Sequence, residues 1–307
     1  MKAVLFVLAL IVACTMAAQL SNEQYQFLFT KYVDQYSKQY QTREFFSKFS
    51  TFKSNLDLIV AHNAKNLSWK MAVNQFADMS AEEFAATMTG LNTNLGQEYA
   101  MSQLQAPVRG LRASEIDWIA KGYVNGVKNQ ASCGSCWAFA SMAPLESRAA
   151  IDGQKLVDLS EQQLVDCSGS TGNNGCNGGL MSNAYEYLKK AGGACLTHDY
   201  PYTAKDGSCK TCTPAVQVTG YKSIAKGDAA HIEALQSGPI AVAIAASSSA
   251  FQFYSSGVLS SCSDRAINHG VTLVGYKTVE GKQAYILRNS WGASWGAQGY
   301  MYIETGK

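Results

Sequence analysis

The spacing of apolar positions changes three times along the chain. Residues 3–13 read AVLFVLALIVA, an unbroken apolar run that follows Lys2 and gives way to small residues ending at Ala17 and Ala18. This is short of the roughly 20 residues that a membrane-crossing helix needs. A basic start, an apolar middle and a small-residue end predict a secretory signal peptide over 1–18. Further on, Phe45, Phe49, Phe52, Leu56 and Ile59 recur at steps of three and four, the stripe of an amphipathic helix. Residues 92–113 have no period and predict a linker. A helix-compatible run follows Cys136, from Trp137 to Met142. A second helix is expected in LSEQQLVDCSG, with Ser160 as N-cap and Gln163 as its reciprocal partner. DAAHIEALQSG predicts a short amphipathic helix that carries His231. From residue 236 the period falls to two. GPIAVAIAA, HGVTLVGYK, AYILRNSW and GYMYIET read as strands between turns. The run Ser247–Ser249 predicts a surface loop. Helices first and strands later predict an α+β fold of two lobes with a cleft between them.

Composition narrows the class only a little. The chain has 307 residues, 47% apolar and 16% charged, enough for a large core. A net charge of +2 gives no electrostatic ground for nucleic-acid or membrane-surface binding. Five prolines among 307 residues argue against a collagen-like or low-complexity chain. Beyond residue 18 no segment reaches 18 apolar residues, so the processed protein is expected to be free of the membrane. Asn66-Leu67-Ser68 is a glycosylation sequon. Entry to the secretory route would make disulfides permissible for the nine cysteines.

The candidate chemistry centres on QASCGSCWAF, residues 130–139. Small residues before Cys136 and a helical run after it place its thiol at a helix N-terminus, where partial positive charge favours the reactive thiolate. Cys133–Cys136 and Cys209–Cys212 are also two CxxC pairs, which leaves a zinc or redox site open on spacing alone. Of four histidines, His269 stands apart. It opens a strand-like run, lies 133 residues after Cys136, and is followed after 20 residues by Asn289 in NSWG. A nucleophile, a base and a third group that orients the base form the logic of a catalytic triad.

This arrangement resembles the papain family of cysteine proteases, of the cathepsin L type, written as a precursor. The CGSCW signature and its distant His and Asn carry the resemblance. So do Glu44, Lys48, Phe52, Asn55, Ile59 and Asn63, spaced like the ERFNIN helix motif of the family's propeptides, with Lys48 in place of Arg. Residues 72–78, AVNQFAD, resemble the second propeptide motif, with Ala72 for its usual Gly. The resemblance implies a papain-like two-lobed fold behind a helical inhibitory prosegment, with a signal peptide at 1–18, a prosegment at 19–108 and a peptidase domain at 109–307. It implies a cysteine endopeptidase zymogen in which Cys136 attacks a peptide carbonyl, His269 protonates the leaving amine and Asn289 orients His269. Gln130 would supply the oxyanion hole together with the Cys136 N–H. Gly178 and Gly179 would bind extended substrate, helped by Asn268. Met181 would line an apolar pocket for the second residue before the cut, and Trp291 would cover the His–Asn pair.

The same resemblance pairs Cys133 with Cys176 and Cys167 with Cys209. Cys195 and Cys212 are extra and could pair with each other, which leaves Cys262 alone, its partner in relatives lying in a C-terminal tail beyond Lys307. No cofactor or metal is expected. Expected partners are protein and peptide substrates, the chain's own prosegment and cystatin-type inhibitors, for a monomer of the lysosome, another acidic vacuole or the extracellular space. Three departures work against activity: the absent tail, Ala131 in place of Gly after the oxyanion Gln, and Pro144 inside the nucleophile helix. A non-catalytic papain-like binding protein is the alternative they leave.

Overall fold

The computed structural model describes residues 20–92, 115–262 and 266–306. The signal peptide expected over 1–18 and nearly all of the linker expected over 92–113 lie outside them.

The first described stretch folds as its apolar stripe requires. Helix α1 (Asn22–Gln35) starts at a capping box, with the Ser21 hydroxyl accepting from the Gln24 N–H and the Gln24 side chain accepting from the Ser21 N–H. Helix α2 (Thr42–Asn63) buries Phe52, Leu56 and Ile59, while Phe45 and Phe49 pack their rings against Phe29 of α1. Full burial of each such side chain contributes about 1.5–3 kcal/mol. The polar motif positions hold the loop after α2. Asn55 donates to the carbonyls of Ala77 and Met79, and Asn63 exchanges two hydrogen bonds with Met71. Asp78 accepts from Tyr32 (2.6 Å), Tyr40 (2.7 Å) and Lys38 (2.9 Å). These bonds, with Lys38 first among the charges nearby, hold its carboxyl below the usual range against the opposing effect of burial. Strand β1 (Trp69–Met71) and helix α3 (Ala81–Met88) complete this segment.

His62, near the end of α2, stacks on Trp69 of β1, with ring centroids 3.9 Å apart and Nε2 3.3 Å from the Trp69 carbonyl. Burial pushes its imidazole below the ordinary value; the Trp69 carbonyl opposes this, and Lys65 and Lys70 reinforce it. The folded state therefore disfavours the proton. The stability gained from neutral His62 is complete above the free-histidine value of about 6.5 and is lost as pH falls from there through the depressed value. In the full-length protein, thermal stability is expected to fall on acidification below that point. Adding His62→Gln should flatten the fall, and an unchanged slope would remove His62 from the account.

The remainder forms two lobes. In the first are helices α4 (Cys136–Ile151), α5 (Glu161–Cys167) and α6 (Met181–Ala191). Their core includes Trp137, Met142, Leu164 and Leu188. The second lobe is built on a sheet. Strand β2 (Ile116–Asp117) precedes α4 in the chain; helix α7 (Asp228–Leu235) and strand β3 (Ile240–Ile244) follow α6. Then come α8 (Ser249–Phe253), β4 (Tyr254–Leu259), β5 (His269–Val279), β6 (Lys282–Arg288) and β7 (Tyr300–Glu304). The strand order is β1-β4-β7-β6-β5-β2, with β3 also paired to β5. All pairs are antiparallel except β4 with β7. Strand β1 thus extends the sheet of the second lobe. Phe29, Phe52, Phe76 and Phe84 share one core with Trp291, Trp295 and Phe253.

Two local expectations are revised, and two features were not foreseen in detail. Ser160 caps α5 by accepting from the Gln163 N–H at 3.1 Å, but the Gln163 side chain turns away to bond Gly193 O and Cys195 N–H. A tertiary pairing thus replaces the capping box. Helix α4 runs on through Pro144 to Ile151, with the proline inside it as the sequence places it. Ser247–Ser249 is the half-buried entry to α8 rather than a surface loop. Strand β4, YSSGVL, has no strand-like period; its neighbours β1 and β7 make it a strand. Gly257 lies there at φ +81°, and a Cβ would fall 2.2 Å from the Ser68 carbonyl, so glycine lets β1 approach.

Candidate active site

Four segments far apart in sequence meet at Cys136. It is the first residue of α4, fully buried, and its Sγ accepts from the Gly270 N–H at 3.4 Å. Gly270 is tightly enclosed: a Cβ there would lie 3.3 Å from Ala140 Cβ and 3.2 Å from Met181 Sδ. This seats the start of β5 against α4. His269, the first residue of β5, has Nε2 2.8 Å from Asn289 Oδ1. Asn289 Oδ1 cannot donate, so Nε2 carries the proton of that bond, and Nδ1 is buried without a hydrogen-bond partner. Asn289 Oδ1 also accepts from the Ser290 N–H at 2.8 Å. The Trp291 ring covers His269, with centroids 4.6 Å apart.

Gln130 is buried on the other side of the Asn289–Trp291 segment. Its backbone N–H donates to Ser290 O (2.8 Å), and its Oε1 accepts from Ser290 Oγ (2.7 Å). With Oε1 held by a hydroxyl, Nε2 is presented as a donor, to Cys133 O at 3.0 Å and to Met88 O at 3.2 Å. Trp291 Nε1 donates to the same Met88 carbonyl at 3.1 Å. Two donors at the site are therefore filled by one backbone carbonyl from the end of α3.

Residues 90–92 then lie along the site. Gly90 and Leu91 donate to Asn268 O at 3.1 and 2.9 Å; Gly179 donates to Gly90 O at 3.0 Å; Asn92 donates to Gly179 O at 3.2 Å. Asn268 and Gly179 act through their backbones. Gly178 serves by close approach, since a Cβ there would sit 2.8 Å from Gly90 O. Behind this strand lies a cavity of about 910 Å³ between the lobes, lined by Leu91, Leu180, Met181, Tyr185, Val242 and Ile244 among others. Aromatic and amide contacts hold the α3 segment over the site. Phe76 and Phe84 meet Trp291 edge-on at 5.7 and 5.2 Å. Gln75 donates to Trp291 O, and Gln252 donates to the carbonyls of Phe76 and Met79.

Covering reverses the electrostatics expected from the helix N-terminus alone. Burial pushes the Cys136 thiol up to about 12, although the N–H groups of Gly270 and Trp137 act in the other direction. Burial likewise pushes His269 down to about 4, against its bond to Asn289. In the covered form both groups are neutral through the physiological range.

Among the described residues the cysteines pair as Cys133–Cys176, Cys167–Cys209 and Cys195–Cys212, leaving Cys136 and Cys262 as thiols. Cys133, Cys209 and Cys212 are thereby closed to zinc or CxxC redox chemistry. Ala131 has φ +51°, an uncommon angle for a residue with a Cβ, and its N–H is held by Asn129 Oδ1. Ala131→Gly should raise stability by about 0.5–1 kcal/mol, measured from the denaturant midpoint. A loss of stability would show that the Asn129 bond already compensates the strain.

Sequence reading located Cys136, Gln130, His269, Asn289 and Trp291, which the structure brings together. Asn268, Gly178, Gly179 and Met181 border the strand at residues 90–92 and the cavity behind it. Sequence reading did not find Met88, Gly90 or Ser290. Ser290 lies within NSWG and could have been read from it; the other two act through a backbone carbonyl and through the lack of a Cβ, which leave no pattern.

Comparison with known proteins agrees with this geometry. A family model for papain family cysteine proteases matches residues 112–307, and one for the cathepsin propeptide inhibitor domain matches residues 29–84. A KDEL-tailed cysteine endopeptidase of Arabidopsis thaliana is 40% identical over 300 residues, covering 92% of this chain and 81% of the relative. Cysteine proteinase 3 of Dictyostelium discoideum is 38% identical over 303 residues, covering 94% and 88%. The solved structure of digestive procathepsin L 3 from the larval midgut of Tenebrio molitor superimposes with a TM-score of 0.81 at 35% identity, covering 92% of this chain and 94% of that one. Residues 29–84, which lead into the segment over the site, thus form an inhibitory propeptide domain, and the chain belongs to the papain family of cysteine endopeptidases in its zymogen form.

Proposed function

We propose that Cys136, His269, Asn289 and Gln130 form the catalytic machinery of this endopeptidase. The observation that carries the reading is their convergence. The His269–Asn289 pair is seated beside Cys136 through Gly270, and the Gln130 amide is turned outward as a donor by Ser290. Once the prosegment leaves, water returns to the site, and both the helix N-terminus and a nearby imidazolium favour the thiolate. Sγ bonds to the substrate carbonyl carbon, and the oxygen takes the electron pair as an oxyanion. Gln130 Nε2 and the Cys136 N–H stabilise that charge. Collapse breaks the C–N bond, and His269 gives its proton to the leaving amine. Water, with His269 as base, then cleaves the thioester and frees the thiol.

Substrate lies as an added strand against Gly179 and Asn268, where residues 90–92 lie in the zymogen. The apolar cavity bordered by Met181 and Leu180 favours an apolar residue second before the cut. The segment over 1–18 directs the chain into the secretory route, and removal of the prosegment over 19–108 releases the peptidase domain of 109–307. Acidic vacuole, lysosome and extracellular space are all reached that way. Cystatin-type proteins are candidate inhibitors.

The test is to express the precursor through a secretory host, acidify it under mild reductant and add an epoxide probe for activated thiols. One adduct on Cys136, loss of the prosegment, and preferential cleavage after Leu, Val or Phe in the second position are expected. No adduct, or equal labelling of Cys262, would show that these residues do not form an active site.

A further inference from the structure

Tyr202 lies outside every element named above. It follows Pro201 on the loop between the disulfide-bonded Cys195 and Cys209. Its hydroxyl makes two short hydrogen bonds, one to the Gln130 carbonyl at 2.8 Å and one to Ser135 Oγ at 2.6 Å. A carbonyl only accepts, so the phenol donates its proton to Gln130 O and must accept from Ser135. Ser135 is fully buried and directly precedes Cys136 at the start of α4. The ring meets Phe139, one turn into α4, edge-on at 5.0 Å.

The loop that presents the phenol is itself fixed. Buried Gln162 of α5 accepts from the Thr203 N–H at 2.8 Å and donates to the Lys205 carbonyl at 2.8 Å and to Asp166 Oδ1 at 2.7 Å. One hydroxyl, held from α5, therefore joins the two ends of the segment 130–135. That segment separates two donors that must converge on a single oxygen, the Gln130 side-chain amide and the Cys136 N–H. Donors to a developing oxyanion act through fixed placement, and small displacements are costly.

We propose that Tyr202 is a positioning residue that sets the distance between the two oxyanion donors. The inference rests on the reading of Gln130 and Cys136 given above. Removing the hydroxyl leaves the ring, the disulfides and the thiol in place and releases one end of the segment from the other. Its effect belongs to steps that develop charge on oxygen, and not to simple alkylation of sulfur, which develops none.

The full-length precursor carrying Tyr202→Phe, processed as the wild type is, should show kcat lowered about tenfold with KM within about twofold. Inhibition by a peptide aldehyde, whose hemithioacetal with Cys136 places the former carbonyl oxygen at the two donors, should weaken in parallel. The rate of alkylation by iodoacetamide and its pH profile should not move. In a Gln130→Ala background the Tyr202→Phe change should lower kcat no further. Ser135→Ala, which cuts the other bond of the phenol, should give the same pattern with a smaller drop and keeps the test available if Tyr202→Phe folds poorly. The proposal is overturned if kcat is unchanged, if alkylation slows as much as kcat, or if the two substitutions add. If Gln130→Ala alone leaves kcat intact, the assignment of Gln130 fails, and the role of Tyr202 fails with it. A fall in kcat for Gln130→Ala without one for Tyr202→Phe overturns this inference alone.

Discussion

Gly90→Ala is expected to open the site of the intact precursor. A Cβ on residue 90 would lie 2.0 Å from the Gly134 carbonyl oxygen and 2.4 Å from its carbon. Both are backbone atoms, and Gly134 cannot retreat easily, since its N–H donates to Cys176 O at 3.0 Å and Cys133 next to it is disulfide-bonded. Residues 90–92 must therefore lift, losing the four backbone hydrogen bonds to Asn268 and Gly179. At about 0.5–1.5 kcal/mol each, those bonds contribute roughly 2–6 kcal/mol. The aromatic contacts of Phe76 and Phe84 with Trp291 remain, so the prosegment stays attached while its end swings free. Labelling of Cys136 in unprocessed precursor, read by intact mass at neutral pH, should rise by about 10²-fold or more, which needs roughly 3 kcal/mol of the loss. A labelling rate equal to that of the wild type would mean that residues 90–92 do not limit access. Gly90→Ser should behave as alanine does, because the clash involves Cβ alone.

What the sequence discloses divides along physical lines. The stripe Phe52, Leu56 and Ile59 is legible because one helix face is buried. Strands β3, β5, β6 and β7 are legible because their apolar runs end at turn residues. Strand β4 is not, because its register comes from β1 and β7 rather than from its own side chains. At the candidate site, Cys136, His269, Asn289 and Gln130 stand in motifs whose spacing resembles that of the papain family, and that resemblance is what singled them out. Met88 and Gly90 act through a carbonyl and through the lack of a Cβ, which no motif encodes. Gln163 looked like half of a capping box and was claimed instead by residues 193–195, whose approach only the tertiary fold determines. The neutral state of the covered thiol was illegible for a similar reason. A helix N-terminus lowers a thiol value in the presence of water, and the prosegment removes the water.

The reversal of values at the covered site bears on the largest effect expected, that of Cys136→Ala. A working pair needs a thiol that yields its proton below the value at which the imidazole yields its own. In the zymogen the thiol lies at about 12 and the imidazole at about 4, burial being the principal cause for both. On the reading proposed above, the prosegment restrains the enzyme in two ways, by lying against Asn268 and Gly179 and by keeping the Cys136 thiol neutral. Processing removes both restraints, and hydrolysis after processing should depend wholly on Sγ. Cys136→Ala should cut kcat by at least about 10⁴-fold, since the loss of a nucleophile leaves only binding and oxyanion stabilisation. It should also leave the precursor uncleaved when purified alone, while added wild-type enzyme still cleaves it. Cys262→Ser is the matching control: Cys262 lies against Ser248 in the second lobe, and its loss should leave kcat unchanged. Substantial turnover by Cys136→Ala, or dependence on Cys262 in its place, would move the nucleophile elsewhere and leave the His269–Asn289 pair without a catalytic partner.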